Sequence, residues 1–365
     1  MRIRFACSLS FLRGHCAARL AVSFMSLASV LSGSSSVVAA PASPAYPTGL
    51  QKDVVFTAYS PYSRSSELVR RLLTPLTALR LTQSEQNHNL REQSIALGEE
   101  KFALYAPPHA PAAGYAVLVY VPPWEEATVP KSWIPDFDAH GMIFVTAANS
   151  GNAAKILDRR EPLALLAAQN ILQRYPVDPD RIYIGGFSGG SRVALRIALG
   201  YPDLFRGALL NAGSDTLGAP TRPIPPGDLF STFQESMRLV YLTNKQDALH
   251  VSMDLASRHS MEEWCVFDVH NENTPWAGHD APDAITFNHA LTTLDGRDQL
   301  PKARLDECRA RIAKEMSAQL GKIDELLAQR RFEDAQKLLY EVDAKYGGLA
   351  AKRSVELQAR IDARR

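Results

Sequence analysis

One serine stands in a setting suited to chemistry. Gly186-Phe187-Ser188-Gly189-Gly190 has the spacing Gly-x-Ser-x-Gly. A strand-like run, Arg181 to Ile184, directly precedes it, and a helical stretch, Ser191 to Leu199, directly follows. A nucleophilic serine needs that placement. A turn tight enough to carry the chain from strand to helix in so few residues holds the serine in a strained backbone. The flanking glycines avoid clashes with the neighbouring strand and helix. The hydroxyl is then presented above the sheet edge, over a helix N-terminus that favours developing negative charge. Attack on an acyl carbon through a covalent intermediate is the chemistry such a serine can perform.

The elements that must position it follow from the apolar pattern. From Ser94 onward, short apolar runs alternate with helical stretches. Phe102 to Tyr105, Ala116 to Val121, Met142 to Ala147, Arg181 to Ile184, Ala208 to Leu210, Leu239 to Leu242 and Cys265 to Val269 read as strands. Trp133 to His140 and Pro162 to Gln173 read as helices between them, Pro162 suiting a first helical turn. Strands separated by helices predict an α/β fold, a mostly parallel sheet covered on both faces. Upstream, Asp53 to Tyr59 alternates like a strand, and Ser65 and Ser66 are N-cap candidates before Glu67. Leu68, Val69, Leu72, Leu73 and Leu76 fall at helical spacing with a break expected at Pro75, and Ser84 to Gln93 reads as polar loop.

The two ends read differently from the middle. Arg2, Arg4, Arg13 and Arg19 precede a mostly apolar stretch, Leu20 to Leu31, and a small-residue segment ending Val38-Ala39-Ala40. That order predicts a signal peptide over 1–40, hence an exported protein, periplasmic or extracellular, with no stable membrane insertion after cleavage. The apolar stretch is short for a membrane span, and no later run has the length of one. Residues 41–93 form an N-terminal extension that starts rich in Pro, Ala and Ser. Residues 94–300 form the α/β domain, and 302–365 a helical tail. In the tail Leu305, Cys308, Ile312, Met316, Leu320, Ile323 and Leu327 line one helical face, and Gly347-Gly348 stops a second helix. RRFEDAQKLLYEVDAKYGG resembles one tetratricopeptide-type hairpin, a unit that cannot bury its apolar face alone. The tail is therefore expected to pack on the α/β domain or to receive a protein partner. Outside the leader two cysteines remain, Cys265 and Cys308. Export would let them pair, and the sequence leaves open whether they do.

The segment VDPDRIYIGGFSGGSRVALRIALGYPDLFRGALLNAGS resembles the nucleophile region of the alpha/beta-hydrolase superfamily. It is most similar to the polyhydroxybutyrate-depolymerase, feruloyl-esterase and prolyl-oligopeptidase-like branches. The resemblance spans about residues 94–295 and is strongest at the elbow. It implies an acid after a later strand and a histidine after the last one, in the order Ser, Asp, His. Asp247, after Leu239 to Leu242, is the implied acid, with Asp215 and Asp254 as rivals. Of nine histidines, His279 in Pro275-Trp276-Ala277-Gly278-His279-Asp280 is the implied base, with His270 as rival. Where many relatives carry His-Gly after the third strand, this chain has Pro122-Pro123-Trp124-Glu125-Glu126. Neither proline has an N–H to donate, so the oxyanion hole is expected from the Gly189 and Trp124 amides. Trp124, Trp133 and Trp276 are candidates for a substrate wall, and Asn149-Ser150-Gly151-Asn152, at the carboxyl end of a strand, for the pocket lining.

The implied activity is hydrolysis of a small or oligomeric carboxylic ester through an acyl-enzyme, with Ser188, His279 and Asp247 as its triad. A prolyl-oligopeptidase-type peptidase is the alternative, although the segment before Ser94 is too short for the propeller domain such enzymes carry. A non-catalytic binding scaffold is the other alternative. The balance of 40 basic against 39 acidic residues argues against a nucleic-acid partner. With no HExxH, paired CxxC or GxGxxG after a strand, no metal or cofactor is expected.

Overall fold

In the computed structural model, residues 46–84, 91–272, 274 and 278–364 are described. The leader expected over 1–40 lies outside them, as does Trp276. The described residues build one eight-stranded sheet: β1 (Gly49–Val54), β2 (Phe102–Ala106), β3 (Tyr115–Val121), β4 (Met142–Ala147), β5 (Val177–Phe187), β6 (Gly207–Asn211), β7 (Arg238–Leu242) and β8 (Val269–Asn271). The strand order is β1-β2-β4-β3-β5-β6-β7-β8. Strand β2 is antiparallel to β1 and β4, and every pair from β4 to β8 is parallel.

The apolar runs are unbroken because these strands are buried on both faces. On β3, Val117, Val119 and Val121 enter one core, and Ala116, Leu118 and Tyr120 the other. The N-terminal helices α1 (Ser65–Leu72) and α2 (Pro75–Gln83) come first in the chain, followed by α3 (Ile134–His140), α4 (Glu161–Arg174), α5 (Gly189–Gly200), α6 (Gly227–Ser236), α7 (Ala248–Glu263) and α8 (Ala284–Asp295). Residues of α1, α4, α5, α6 and α7 pack into the first core, and those of α3 and α8 into the second. Trp133 belongs to this second core. Its ring stacks on Phe287 of α8 at 3.9 Å, and its indole N–H donates to the Pro282 carbonyl at 3.1 Å. It is therefore not a substrate wall: a buried indole finds its hydrogen-bond partner in the core.

Three local expectations shift. The first strand is 49–54, not 53–59, because Gly49 and Leu50 pair with Ala106 and Tyr105, after which the chain leaves the sheet edge to bury Phe56 against Phe102. Neither Ser65 nor Ser66 caps α1: the Ser65 hydroxyl donates to the Arg91 carbonyl instead. The cap appears one helix later, where Thr74 accepts from the Thr77 amide just ahead of Pro75. The last strand is 269–271 and not 265–269. Cys265 adopts a left-handed conformation (φ 63°) at the end of α7, and Val266 N–H turns back to the Met261 carbonyl. Residues 265 and 266 are apolar because they are buried under the tail, not because they pair in the sheet.

The tail is α9 (Lys302–Ala328), α10 (Phe332–Tyr346) and α11 (Ala351–Asp362). From Tyr46 onward it forms one compact unit with the sheet and its helices. Its apolar stripe, with Leu305, Ile323, Leu339 and Leu357, is continuous with the first core. Asp343 accepts from the Leu76 amide at the start of α2, and Gly348 donates to the Ile224 carbonyl at 2.7 Å. Gly347 has φ 49°, and a Cβ there would stand 2.4 Å from the Ile224 oxygen, so only glycine fits where α10 ends. No helix among the described residues is long and apolar enough to cross a membrane.

Cys265 and Cys308 form a disulfide that staples α9 to the end of α7, across a sequence separation of 43 residues. A cross-link closing a loop of that size contributes about 4 kcal/mol by restricting the unfolded chain. Reduction, or Cys308→Ser, should therefore lower unfolding stability by about that amount. Denaturant melts with and without dithiothreitol measure it, and superimposable curves after full reduction would contradict it.

Candidate active site

Ser188 sits between the end of β5 and the start of α5, at the carboxyl edge of the sheet. Its backbone has φ 54° and ψ −120°, a conformation that non-glycine residues rarely adopt. The surroundings impose it. A Cβ on Gly186 would stand 2.4 Å from the Gly190 backbone, and one on Gly190 would stand 1.9 Å from the Val121 oxygen on β3. The Ser188 amide donates to the Asn211 carbonyl at the end of β6, which fixes the elbow to the neighbouring strand.

The sheet topology brings two more residues to the same edge. Asp247 lies in the loop between β7 and α7, and His279 in the loop between β8 and α8. His279 Nε2 stands 3.0 Å from Ser188 Oγ, and its Nδ1 stands 2.6 Å from Asp247 Oδ2. A carboxylate only accepts, so Nδ1–H donates to Asp247, and Nε2 is left to accept the Ser188 hydroxyl. Ser188 and Asp247 are nearly buried, while His279 is 40% exposed. Burial pushes the Asp247 carboxyl up, but hydrogen bonds from His279 and His250 outweigh it and hold the group below the usual carboxylate range. It is therefore charged at neutral pH.

The rivals are accounted for elsewhere. His270 Nε2 lies 2.8 Å from Asp268, and Asp215 pairs with Arg222. Asp254 is buried beneath Thr243, whose hydroxyl donates to it, and burial pushes its carboxyl up to about 7. None of the three is bonded to Ser188 or to His279.

No family model matches the chain, and no curated protein matches it. Solved structures resemble it at low identity. With an S-formylglutathione hydrolase from Staphylococcus aureus the TM-score is 0.40 at 13% identity, over 53% of this chain and 89% of that one. With a poly(3-hydroxybutyrate) depolymerase from Bordetella parapertussis it is 0.40 at 18% identity, over 57% and 88%. With a dipeptidyl-aminopeptidase-IV-type protein from Bacteroides ovatus it is 0.41 at 16% identity, over 54% of this chain, which spans only 34% of that protein. The strand order, with β2 reversed and the serine elbow leaving β5 into α5, decides the architecture. The chain has the alpha/beta-hydrolase fold.

Within this hydrolase fold the expected oxyanion donors are the Gly189 and Trp124 amides. Among the described residues neither amide has a hydrogen-bond acceptor in the protein. The loop carrying Trp124 is tied to the loop after β4: the Asn152 amide donates to the Pro123 carbonyl at 2.9 Å, and the Asn149 amide to the Glu125 carbonyl at 2.6 Å. Asn149 is exposed with φ 51°, and its carbonyl accepts from Arg159. Trp124 is half-buried, with its ring 6.2 Å from Phe187.

Four residues hold these loops, of which sequence reasoning named only Asn152, as pocket lining. Arg160 is buried and donates to the carbonyls of Pro122 and Ser150, joining the two loops behind the serine. Burial pulls its guanidinium down to about 10. The Asn152 side chain fills the space beside Gly189, where a Cβ would stand 2.0 Å from its oxygen. The Asn244 amide donates to the carbonyls of Gly278 and Asp280, on either side of His279. His250 is bonded to Asp247. For His250 a signal existed, since a histidine three residues into a helix returns to the first turn. For Arg160 there was none.

Proposed function

We propose that this protein is a serine hydrolase that cleaves carboxylic esters through an acyl-enzyme. The observation that carries the proposal is the continuous contact Ser188 Oγ–His279 Nε2–Asp247 Oδ2, at 3.0 and 2.6 Å. Ser188 Oγ attacks the acyl carbon as its proton passes to His279 Nε2. Asp247 holds the imidazole in the tautomer that can accept that proton and stabilises the imidazolium that results. The amides of Gly189 and Trp124, free of protein acceptors, supply hydrogen bonds to the developing oxyanion. His279 returns the proton to the departing alkoxide, and the alcohol leaves. Water, deprotonated by the same nitrogen, attacks the acyl-serine, releasing the acid and restoring the hydroxyl.

The half-exposed base favours an accessible site over an enclosed peptidase chamber. An exported protein suits the Cys265–Cys308 disulfide, which persists in an oxidising compartment. Turnover of short-chain p-nitrophenyl esters, with none of aminoacyl-proline amides, is the expected result. Faster cleavage of the amides would move the reading to a peptidase.

A further inference from the structure

We infer that His250 is a positioning residue for the reaction proposed above, holding the Asp247 carboxylate and the His279 ring in register. The inference rests on that reading of the site. Asp247 precedes α7 without capping it through its side chain, so no helix amide fixes the carboxylate. His279 engages only Oδ2. His250, in the first turn of α7, reaches back so that its Nδ1 lies 2.7 Å from Oδ1 and 2.8 Å from Oδ2. One donor set between both oxygens opposes rotation of the group.

The second contact is ring on ring. The His250 and His279 imidazoles are 4.3 Å apart between centroids and tilted by 24°, a stacked pair. His279 needs such support because it is the most exposed of the three and lies on a loop to which Asn244 donates on either side. His250 is itself held: its side chain is 15% exposed, and a Cβ on Gly213 would stand 2.4 Å from its Cδ2. Glycine at 213 leaves the room this ring occupies. The geometry therefore passes from the turn after β6, through His250, to the acid and the base together.

The donor atoms of Asp247, His250 and His279 lie within 4.8 Å of one another. Both Nδ1 atoms are already used as hydrogen-bond donors to the carboxylate, which accounts for the cluster as a proton-holding unit.

A residue that acts through Asp247 has a distinctive kinetic signature. His250→Phe keeps the ring volume and loses the donor, and His250→Gln keeps a donor and loses the ring. Each should lower kcat on a p-nitrophenyl ester by about tenfold to a hundredfold, the effect of slight misplacement of a catalytic group, with KM little changed. Introduced into Asp247→Asn, His250→Phe should cost no more than about twofold, because it keeps the stacked ring and the carboxylate that its lost donor held is gone. Equal losses in both backgrounds, or wild-type kcat in His250→Phe, would overturn the inference. Wild-type protein that cleaves no ester would instead sink the proposed function, and the inference with it.

Discussion

Ser188→Ala should lower kcat for ester hydrolysis by about a millionfold, as loss of the nucleophile does when serine and base act as a unit. The size follows from the arrangement. The hydroxyl is weakly nucleophilic alone and becomes reactive only through the 3.0 Å contact with His279. His279→Ala should cost about the same, and the double variant little more, since either loss ends the same step. Neither change should disturb the fold. Ser188 holds the elbow through its backbone amide, which alanine keeps, and His279 is 40% exposed on a loop pinned by Asn244. Steady-state kinetics beside a thermal melt check the prediction. A serine variant that keeps a tenth of wild-type turnover would show that another group attacks.

The second large effect is expected from Asp247→Asn, at about ten-thousandfold in kcat with the geometry preserved. An asparagine is nearly isosteric, so the loop before α7 should close as before. Its amide N–H2, however, donates where the carboxylate accepts. His279 would then turn its lone pair toward position 247 and its N–H toward Ser188, in the wrong tautomer to take a proton. The imidazolium formed during attack would also lose its counter-charge. The carboxyl is held below the usual range, so it is ionised at neutral pH and supplies the counter-charge that asparagine lacks. A rate profile of Asp247→Asn with wild-type kcat at neutral pH would contradict this assignment of the acid.

How much of this was legible in the sequence depends on the range of the interactions involved. The elbow was legible because a Cβ on Gly186 would meet the Gly190 backbone and one on Gly190 the Val121 oxygen, so glycine is required on both sides of Ser188 and leaves a motif. The buried strands were legible because burial on both faces makes unbroken apolar runs, as at Ala116 to Val121. Cys265 to Val269 misled for the same reason, since burial under α9 gives the same apolar signature as burial in a sheet. Trp133 likewise reads as a candidate wall until Phe287, far along the chain, is seen to stack on it. Arg160 was invisible because its shorter hydrogen bonds go to the carbonyls of Pro122 and Ser150, which carry no sequence signal. The pairing of Cys265 with Cys308 became decidable only once α9 was seen to lie against the end of α7.

The most direct test of the central claim is covalent labelling of the folded protein with a fluorophosphonate probe. The wild type should be labelled at Ser188, whereas Ser188→Ala and His279→Ala should not label, because the probe reads an activated serine and its base, not a particular substrate. A folded wild type that takes no label, or labelling that persists in Ser188→Ala, would contradict the account.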